Sequence, residues 1–357
     1  MQFQPLIEEL LTLWENENAL NLKNFTTSLL QIPVHELIAY ANAVRHQLEP
    51  ERKVGYLVER NINYTNVCSI RCAFCTFSRS LKSPDAYVLG FDEIGKKVEE
   101  LVQQKGDQIL LQGGVHPLLP LSWYVDLLSF LKSRFPQLKI HAFSPHEIAH
   151  MAKMSKKSIA EVLQILMKAG LDYLPGAGAE ILVDRVRKII SPAKLSSDEW
   201  LEVMRIAHQL GIPTSATMMY GHIETWEERI AHLRKIYVLQ REKPLDSPGF
   251  VAFIAWPYMS GNDRMQKLLF VSPHTPVTYL KIVALARILL QNIFIIQASW
   301  LTVGEETAIM ALHAGANDMG SIMIEENVIT GGINSTFPSE EKMQRLIKKA
   351  GFTPYRR

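Results

Sequence analysis

Short apolar runs rich in β-branched residues alternate with segments of helical spacing along most of this chain, and that rhythm limits its fold more than any other feature. The runs span residues 61–67, 107–112, 138–144, 172–176, 213–219, 249–256, 293–298 and 316–321. Between them lie helical patterns such as Ile94-Val98-Leu101-Val102, Ile159-Val162-Leu163-Leu166 and Trp200-Val203-Met204-Ala207. Strand alternating with helix implies parallel pairing. About eight such units fit a (β/α)8 TIM-type barrel, which typically spans about 250 residues. A doubly wound open sheet is the other arrangement the alternation allows.

The reading divides the chain into three parts. Residues 1–52 form an N-terminal helical extension with apolar positions Leu6, Ile7, Leu10, Leu11 and Trp14, then Leu29, Leu30, Val34, Leu37, Ile38 and Val44. Residues 53–330 form the barrel, and residues 331–357 a C-terminal helix with a short basic tail. The chain is 357 residues long and 47% hydrophobic, enough for a sizeable core. A net charge of +2 with interspersed signs does not suggest a partner among nucleic acids or acidic membranes. No apolar run approaches the roughly 20 residues of a membrane span, and the start Met1-Gln2-Phe3-Gln4 has no secretory character. A cytoplasmic location is therefore expected.

All three cysteines lie in Cys68-Ser69-Ile70-Arg71-Cys72-Ala73-Phe74-Cys75, directly after the first expected strand. The C-terminal ends of barrel strands form the functional face. Three thiolates on one tight loop can ligate three irons of a [4Fe–4S] cluster. The fourth iron then has no cysteine and is open to a small molecule. A structural zinc site with a distant fourth ligand, or three inert thiols, are the other readings.

Further motifs fall at expected strand ends. Gln112-Gly113-Gly114 allows close backbone approach. Pro175-Gly176-Ala177-Gly178-Ala179-Glu180 has the look of a dinucleotide loop without its third glycine. Met218-Met219-Tyr220-Gly221-His222 closes the fifth run, and Thr225 with Glu228 reads as a helix capping box. Of 11 histidines, His116, His146 and His222 are expected at strand ends, whereas His208, His232 and His313 read as helix-packing residues.

The C-x3-C-x-aromatic-C loop after the first barrel strand resembles the radical S-adenosylmethionine superfamily. The likeness extends over about residues 53–330, through Arg60-Asn61-Ile62-Asn63-Tyr64-Thr65-Asn66-Val67-Cys68, His141-Ala142-Phe143-Ser144-Pro145, Ala216 to His222, Gln297-Ala298-Ser299-Trp300 and Gly315 to Ser321. In these segments it is similar to the menaquinone (futalosine pathway) branch. The Pro-Gly-Ala-Gly-Ala-Glu form favours the ring-closing members, because the aminofutalosine enzymes usually carry Gly-Gly-Gly there. Deazaflavin synthase components share the cysteine loop.

The resemblance implies a radical enzyme with a [4Fe–4S] cluster and S-adenosylmethionine as cofactors. Cys68, Cys72 and Cys75 are then the cluster ligands. Phe74, Gln112, Gly113, Gly114, Ser144, Glu180 and Tyr220 are expected around S-adenosylmethionine, with Glu180 on the ribose hydroxyls and the glycine turn on the methionine amino group. It further implies a small nucleoside-type substrate, hydrogen abstraction by a 5′-deoxyadenosyl radical, C–C ring closure, and a reductant such as flavodoxin or ferredoxin. His116, His222 and Asp318 are candidates to receive the final proton. Arg79 and Ser299 are candidates for a substrate carboxylate, and Trp256 and Trp300, with Phe77, for the walls of the pocket. Two stretches depart from the branch pattern: Cys75-Thr76-Phe77-Ser78-Arg79, and Ala255 to Asn262.

Overall fold

A computed structural model of the chain describes residues 2–16, 20–259, 265, 275–325 and 339–357. Its strands are β1 (Lys53–Ile62), β2 (Gln108–Leu111), β3 (Lys139–Ala142), β4 (Thr214–Tyr220), β5 (Phe250–Pro257), β6 (Ile295–Gln297), β7 (Asp318–Met323) and β8 (Thr353–Arg356). Hydrogen bonds run in the order β3-β2-β1-β7-β6-β5-β4, with every strand pair parallel. Parallel bridges His141↔Tyr173 and Leu174↔Thr214 join β3 to β4 through the expected run at 172–176, and so complete the ring. The sheet is the wall of an α/β barrel, as the strand–helix rhythm implies.

Two expectations change. The first strand begins at Lys53 and ends at Ile62, not at 61–67: Gly55, Glu59 and Arg60 interrupt the apolar pattern there, and residues 63–67 leave the sheet to start the cysteine loop. The C-terminal tail contributes more than a helix. After Glu340–Lys349 it adds β8, which pairs with Lys53 to Tyr56 at the start of β1. Residues 331–338 of the expected C-terminal part lie outside the described residues.

The two faces of the wall differ in character. Val54, Tyr56, Val58, Ile62, Ile109, Leu111, Ile140, Ala142, Ala216, Met218 and Phe253 point into the helical layer and are buried. The lateral partners on the opposite face are Asn61↔Leu110, Leu110↔His141, His141↔Tyr173, Thr217↔Ile254, Met219↔Trp256 and Ile254↔Gln297. Leu110, His141, Tyr173, Ile254, Trp256 and Gln297 are only half-buried. A barrel interior is ordinarily packed by its side chains. Here the inward face mixes polar and apolar side chains and keeps accessible surface, which describes a lumen rather than a filled core.

Helices Gln4–Glu15, Leu22–Gln31 and Val34–Leu48 precede the barrel and pack on it. Trp14 Nε1 donates to the Leu289 carbonyl at 3.0 Å, and the buried Arg45 Nε to that of Ala316 at 3.0 Å. Helix starts follow local chemistry: Ser144/Glu147, Ser158/Glu161, Ser196/Glu199 and the expected Thr225/Glu228 all form reciprocal capping boxes. Among the described residues no helix is long and apolar enough to cross a membrane.

Candidate active site

The chain leaves β1 at its C-terminal end and is pinned before and after the cysteines. Asn66 Nδ2 donates to the Asp85 carbonyl at 2.8 Å, and Asn66 Oδ1 accepts from the Tyr87 amide at 2.9 Å. The Cys68 amide donates to Arg79 O at 3.0 Å, and that of Arg79 to Asn66 O at 2.8 Å. Farther along, the Ala73 amide reaches Ile190 O at 2.8 Å. Arg79 is fixed by Asp85 at 2.5 Å and by the carbonyls of Thr76, Phe77 and Ser78. It braces the cysteine loop, so its guanidinium is already committed and the carboxylate role expected for it has no support.

The loop gathers the three thiols at the barrel mouth. Cys72 is the most buried, and burial pushes its thiol up to about 11 against the pull of the Lys194 ammonium, with Glu180, Cys75 and Cys68 adding to the rise. The sulfurs therefore lie within electrostatic reach of one another. Among the described residues no three His, Cys, Asp or Glu side chains converge on a single-ion site. A cluster instead offers a separate iron to each thiolate. The donor set of three sulfurs, with a cation beside the most buried one, fits such a cluster.

Gly114 lies directly against this loop. A Cβ there would stand 2.8 Å from Cys68 Cβ and closer still to the Val67 carbonyl oxygen. We expect Gly114→Ala to displace the loop at a cost of about 1–3 kcal/mol. Its signature is reduced iron content after anaerobic reconstitution together with a lowered unfolding midpoint.

Behind the glycine turn sits Glu147, which the sequence did not single out. Its carboxylate accepts from the Tyr64 hydroxyl, the Gly113 amide at 3.3 Å and the Ser144 amide at 2.7 Å. The Gly113 position is open because Tyr64 occupies the space beneath it: a Cβ would meet the ring at 2.6 Å. Ser144, expected at the cofactor, caps the helix Pro145–Ser155 by accepting from the Glu147 amide at 3.3 Å. The Gly113 and Gly114 amides are engaged, by Glu147 and by Thr65 O, so this turn presents carbonyls rather than N–H groups. An ammonium, which only donates, suits carbonyls. Gln112 is tied into the same turn, its amide on Ile62 O at 3.1 Å and its carbonyl accepting from Asn63 at 3.2 Å.

Burial raises the Glu147 carboxyl to about 7 despite these donors. Because the folded value exceeds the unfolded one, the folded state holds an extra proton between about pH 4.5 and 7. The stabilisation is complete below that window and is lost as pH rises through it, by roughly 3 kcal/mol. Glu147→Gln should flatten the pH dependence of the denaturation midpoint across this range.

On the far side of the cysteines, Glu180 has φ +46°, a strained value for a side-chain-bearing residue. Lys194 forms an ion pair with it; the two side chains are only 9% and 7% exposed. The Lys194 ammonium also lies 5.1 Å from the centroid of the Phe74 ring. Arg187 anchors the loop by donating to Ala179 O at 2.5 Å and Leu195 O at 2.7 Å, and it approaches His146 Nε2 at 3.5 Å. The structure thus brings Phe74 and Glu180 to Cys72, and adds Lys194.

Other expected residues lie elsewhere. Tyr220 shares the outward face with Ala216 and Met218; its ring is 5.2 Å from the Arg229 guanidinium and its hydroxyl is buried, so it belongs to the helical layer. His222 has both nitrogens engaged, Nε2 with Met219 O at 3.0 Å and Nδ1 with the Ile223 amide at 2.9 Å, and it braces the turn instead of accepting a proton. His116 Nδ1 accepts the Leu118 and Leu119 amides at 3.2 Å each, a turn-forming role. Asp318 opens β7, at the barrel end opposite the cysteines, where it pairs with Arg357 at 2.7 Å. That position removes it as a catalytic candidate. Ser299 gives its amide to the Tyr279 hydroxyl at 2.7 Å, and its own hydroxyl accepts from Thr302 at 2.9 Å. Trp300 is tied to Ser321 O at 3.1 Å, whereas Trp256 faces the lumen, half-buried. Met259 ends the described part of the stretch from Ala255 to Asn262; the rest of it lies outside the described residues.

Comparison with known proteins gives this arrangement a context. The radical SAM superfamily profile matches residues 62–236, and that of the CofH/MqnC C-terminal region matches residues 247–357. The chain is 42% identical over 332 residues to the cyclic dehypoxanthine futalosine synthase of Streptomyces coelicolor, covering 91% of this chain and 80% of that protein. It is 41% identical over 335 residues to a 5-amino-6-(D-ribitylamino)uracil–L-tyrosine 4-hydroxyphenyl transferase of Methanosarcina barkeri, covering 92% of this chain and 87% of that one. Among solved structures, methylornithine synthase superposes with TM-score 0.72 at 19% identity, over 93% of this chain and 94% of that one, a likeness of fold.

Proposed function

From the premise that this chain belongs to the radical S-adenosylmethionine superfamily, and is an enzyme whose cofactors are a [4Fe–4S] cluster and S-adenosylmethionine, we propose that it converts dehypoxanthine futalosine to its cyclic form in menaquinone biosynthesis. The observation that carries this reading is the 42% identity to a synthase of that name along 91% of the chain. The Pro175 to Glu180 sequence supports it further. When bound, the reduced cluster and S-adenosylmethionine supply a 5′-deoxyadenosyl radical, for a reaction that removes hydrogen from ribose C4′, joins C4′ to the benzoate ring and releases a proton and an electron.

The protein's share is holding and shielding. Cys68, Cys72 and Cys75 would hold the cluster. Phe74, Glu180 and the carbonyls of the Gly113-Gly114 turn surround the adjoining space, with Lys194 supplying positive charge beside Cys72. Below them Met219, Ile254 and Trp256 line the lumen, where a substrate is fixed relative to the mouth and kept from bulk water. Such positioning accounts for much of what a protein adds to cofactor chemistry. The reducing electron is expected from a small redox protein such as flavodoxin or ferredoxin.

A second reading has its own support. The similarity to the Methanosarcina barkeri transferase is nearly as high, and that protein's name gives a ribitylaminouracil and tyrosine as its substrates. Reduced, reconstituted protein incubated with S-adenosylmethionine decides between them. We expect 5′-deoxyadenosine release to be stimulated by dehypoxanthine futalosine and not by tyrosine with 5-amino-6-(D-ribitylamino)uracil. The reverse preference would replace the proposal with the transferase reading.

A further inference from the structure

One polar atom on the lumen wall has no hydrogen-bond partner among the described residues. His141 is the third residue of β3, and its neighbours Ile140 and Ala142 are fully buried in the helical layer. Strand alternation therefore turns His141 inward, onto the face shared by its lateral partners Leu110 and Tyr173 and, one strand farther, Asn61. The ring meets that of Tyr173 edge-on with centroids 5.9 Å apart, which fixes its tilt. Its Nε2 is buried with no hydrogen-bond partner among the described residues.

Resting on the reading that the lumen holds a nucleoside-type substrate, we infer that His141 is a substrate-binding residue whose Nε2 accepts a hydrogen bond from a ribose hydroxyl. A buried polar atom without a partner is uncommon and calls for an explanation. In the tautomer protonated at Nδ1, Nε2 presents a lone pair. Burial, and after it the charge of Arg357, lowers the imidazole to about 4. The ring is thus neutral at ordinary working pH, and it reads a donor rather than an anion. The half-buried Ile254 and Trp256 supply apolar wall on other staves of the same lumen.

The test compares His141→Phe and His141→Gln in the reconstituted holoenzyme. Phenylalanine fills the volume without an acceptor, whereas the glutamine amide oxygen can still accept. His141→Phe should raise the KM for dehypoxanthine futalosine about tenfold or more, the effect of leaving a bound hydroxyl unpaired. The KM for S-adenosylmethionine should stay within about twofold, and His141→Gln should recover part of the loss. Equal shifts in both KM values, or none in either, would overturn the inference. Should His141→Phe not fold, His141→Asn, which keeps polarity but retracts the acceptor, must show the same split between the two substrates. If the wild type forms no cyclic product, the proposed function fails first. The same comparison is then read on tyrosine with 5-amino-6-(D-ribitylamino)uracil, where an unchanged KM in His141→Phe again rejects the residue's role.

Discussion

Replacing Cys72 with alanine is expected to abolish both cluster assembly and formation of 5′-deoxyadenosine. The loop around it is held by Ala73 to Ile190, by Cys68 to Arg79 and by the Asn66–Tyr87 pair, so the substitution removes a ligand without unfastening the frame. Each thiolate would bind one iron, and the remaining two would have no further cysteine to recruit, because the chain contains three in all. Cys72 is also the thiol beside Lys194, the place where a thiolate is best compensated. The expected observations after anaerobic reconstitution are loss of the visible charge-transfer absorption and iron well below four per chain. Circular dichroism and the apo-protein's unfolding midpoint should change little. Retention of a full cluster in Cys72→Ala would mean that the thiols are not its ligands.

The second large effect concerns Lys194. Its ion pair with Glu180 is removed from water on both sides, with side chains 9% and 7% exposed. Deleting one member of such a pair leaves the other charge buried and uncompensated, which costs about 3–5 kcal/mol. Lys194→Met should therefore lower the denaturation free energy of the apo-protein by about that amount. Neutralising the partner as well, in Lys194→Met/Glu180→Gln, should recover much of the loss, since the two changes remove one shared interaction and are not additive. Neither variant should bind S-adenosylmethionine with wild-type affinity, because both strip polar groups from beside Cys72 and Phe74. A single variant as stable as wild type would mean that the pair contributes nothing to the fold.

These two residues show what could be read from the sequence and what could not. The cysteine loop was legible because its ligands are consecutive in sequence and their chemistry is specific to spacing. The barrel was legible because alternating strand and helix leave few packing solutions. Lys194 was not. It lies in the loop after the helix Asp184–Ile190, and only the folding back of that loop, fixed by Arg187 on Ala179 and Leu195, carries it against Glu180. Glu147 was not singled out either: it caps a helix, and that its carboxylate also holds Tyr64 and Gly113 depends on contacts between three barrel units. The Tyr220 ring faces outward and Asp318 lies at the far barrel end for a geometric reason. Which face a strand residue takes, and at which end of the strand it lies, follows from register, and a shift of one position reverses the face. His141 was visible as part of a motif, but that its buried Nε2 has no hydrogen-bond partner among the described residues follows only from the folded wall.

The same geometry separates structural from chemical duties at the mouth. His116, His222, Ser144 and Arg79 hold turns in place, each through polar atoms already paired within the protein. The groups left to meet ligands are thiols, carbonyls, the Lys194–Glu180 pair and the inward wall of the barrel. That division fits an enzyme whose reactive chemistry is brought by its cofactors.

The most direct test uses dehypoxanthine futalosine carrying deuterium at ribose C4′, incubated with S-adenosylmethionine and the reduced, reconstituted protein. The account predicts 5′-deoxyadenosine bearing a single deuterium, and a product lighter than the labelled substrate by one deuterium and one hydrogen. Unlabelled 5′-deoxyadenosine, or labelled substrate recovered unchanged while S-adenosylmethionine is cleaved, would contradict it.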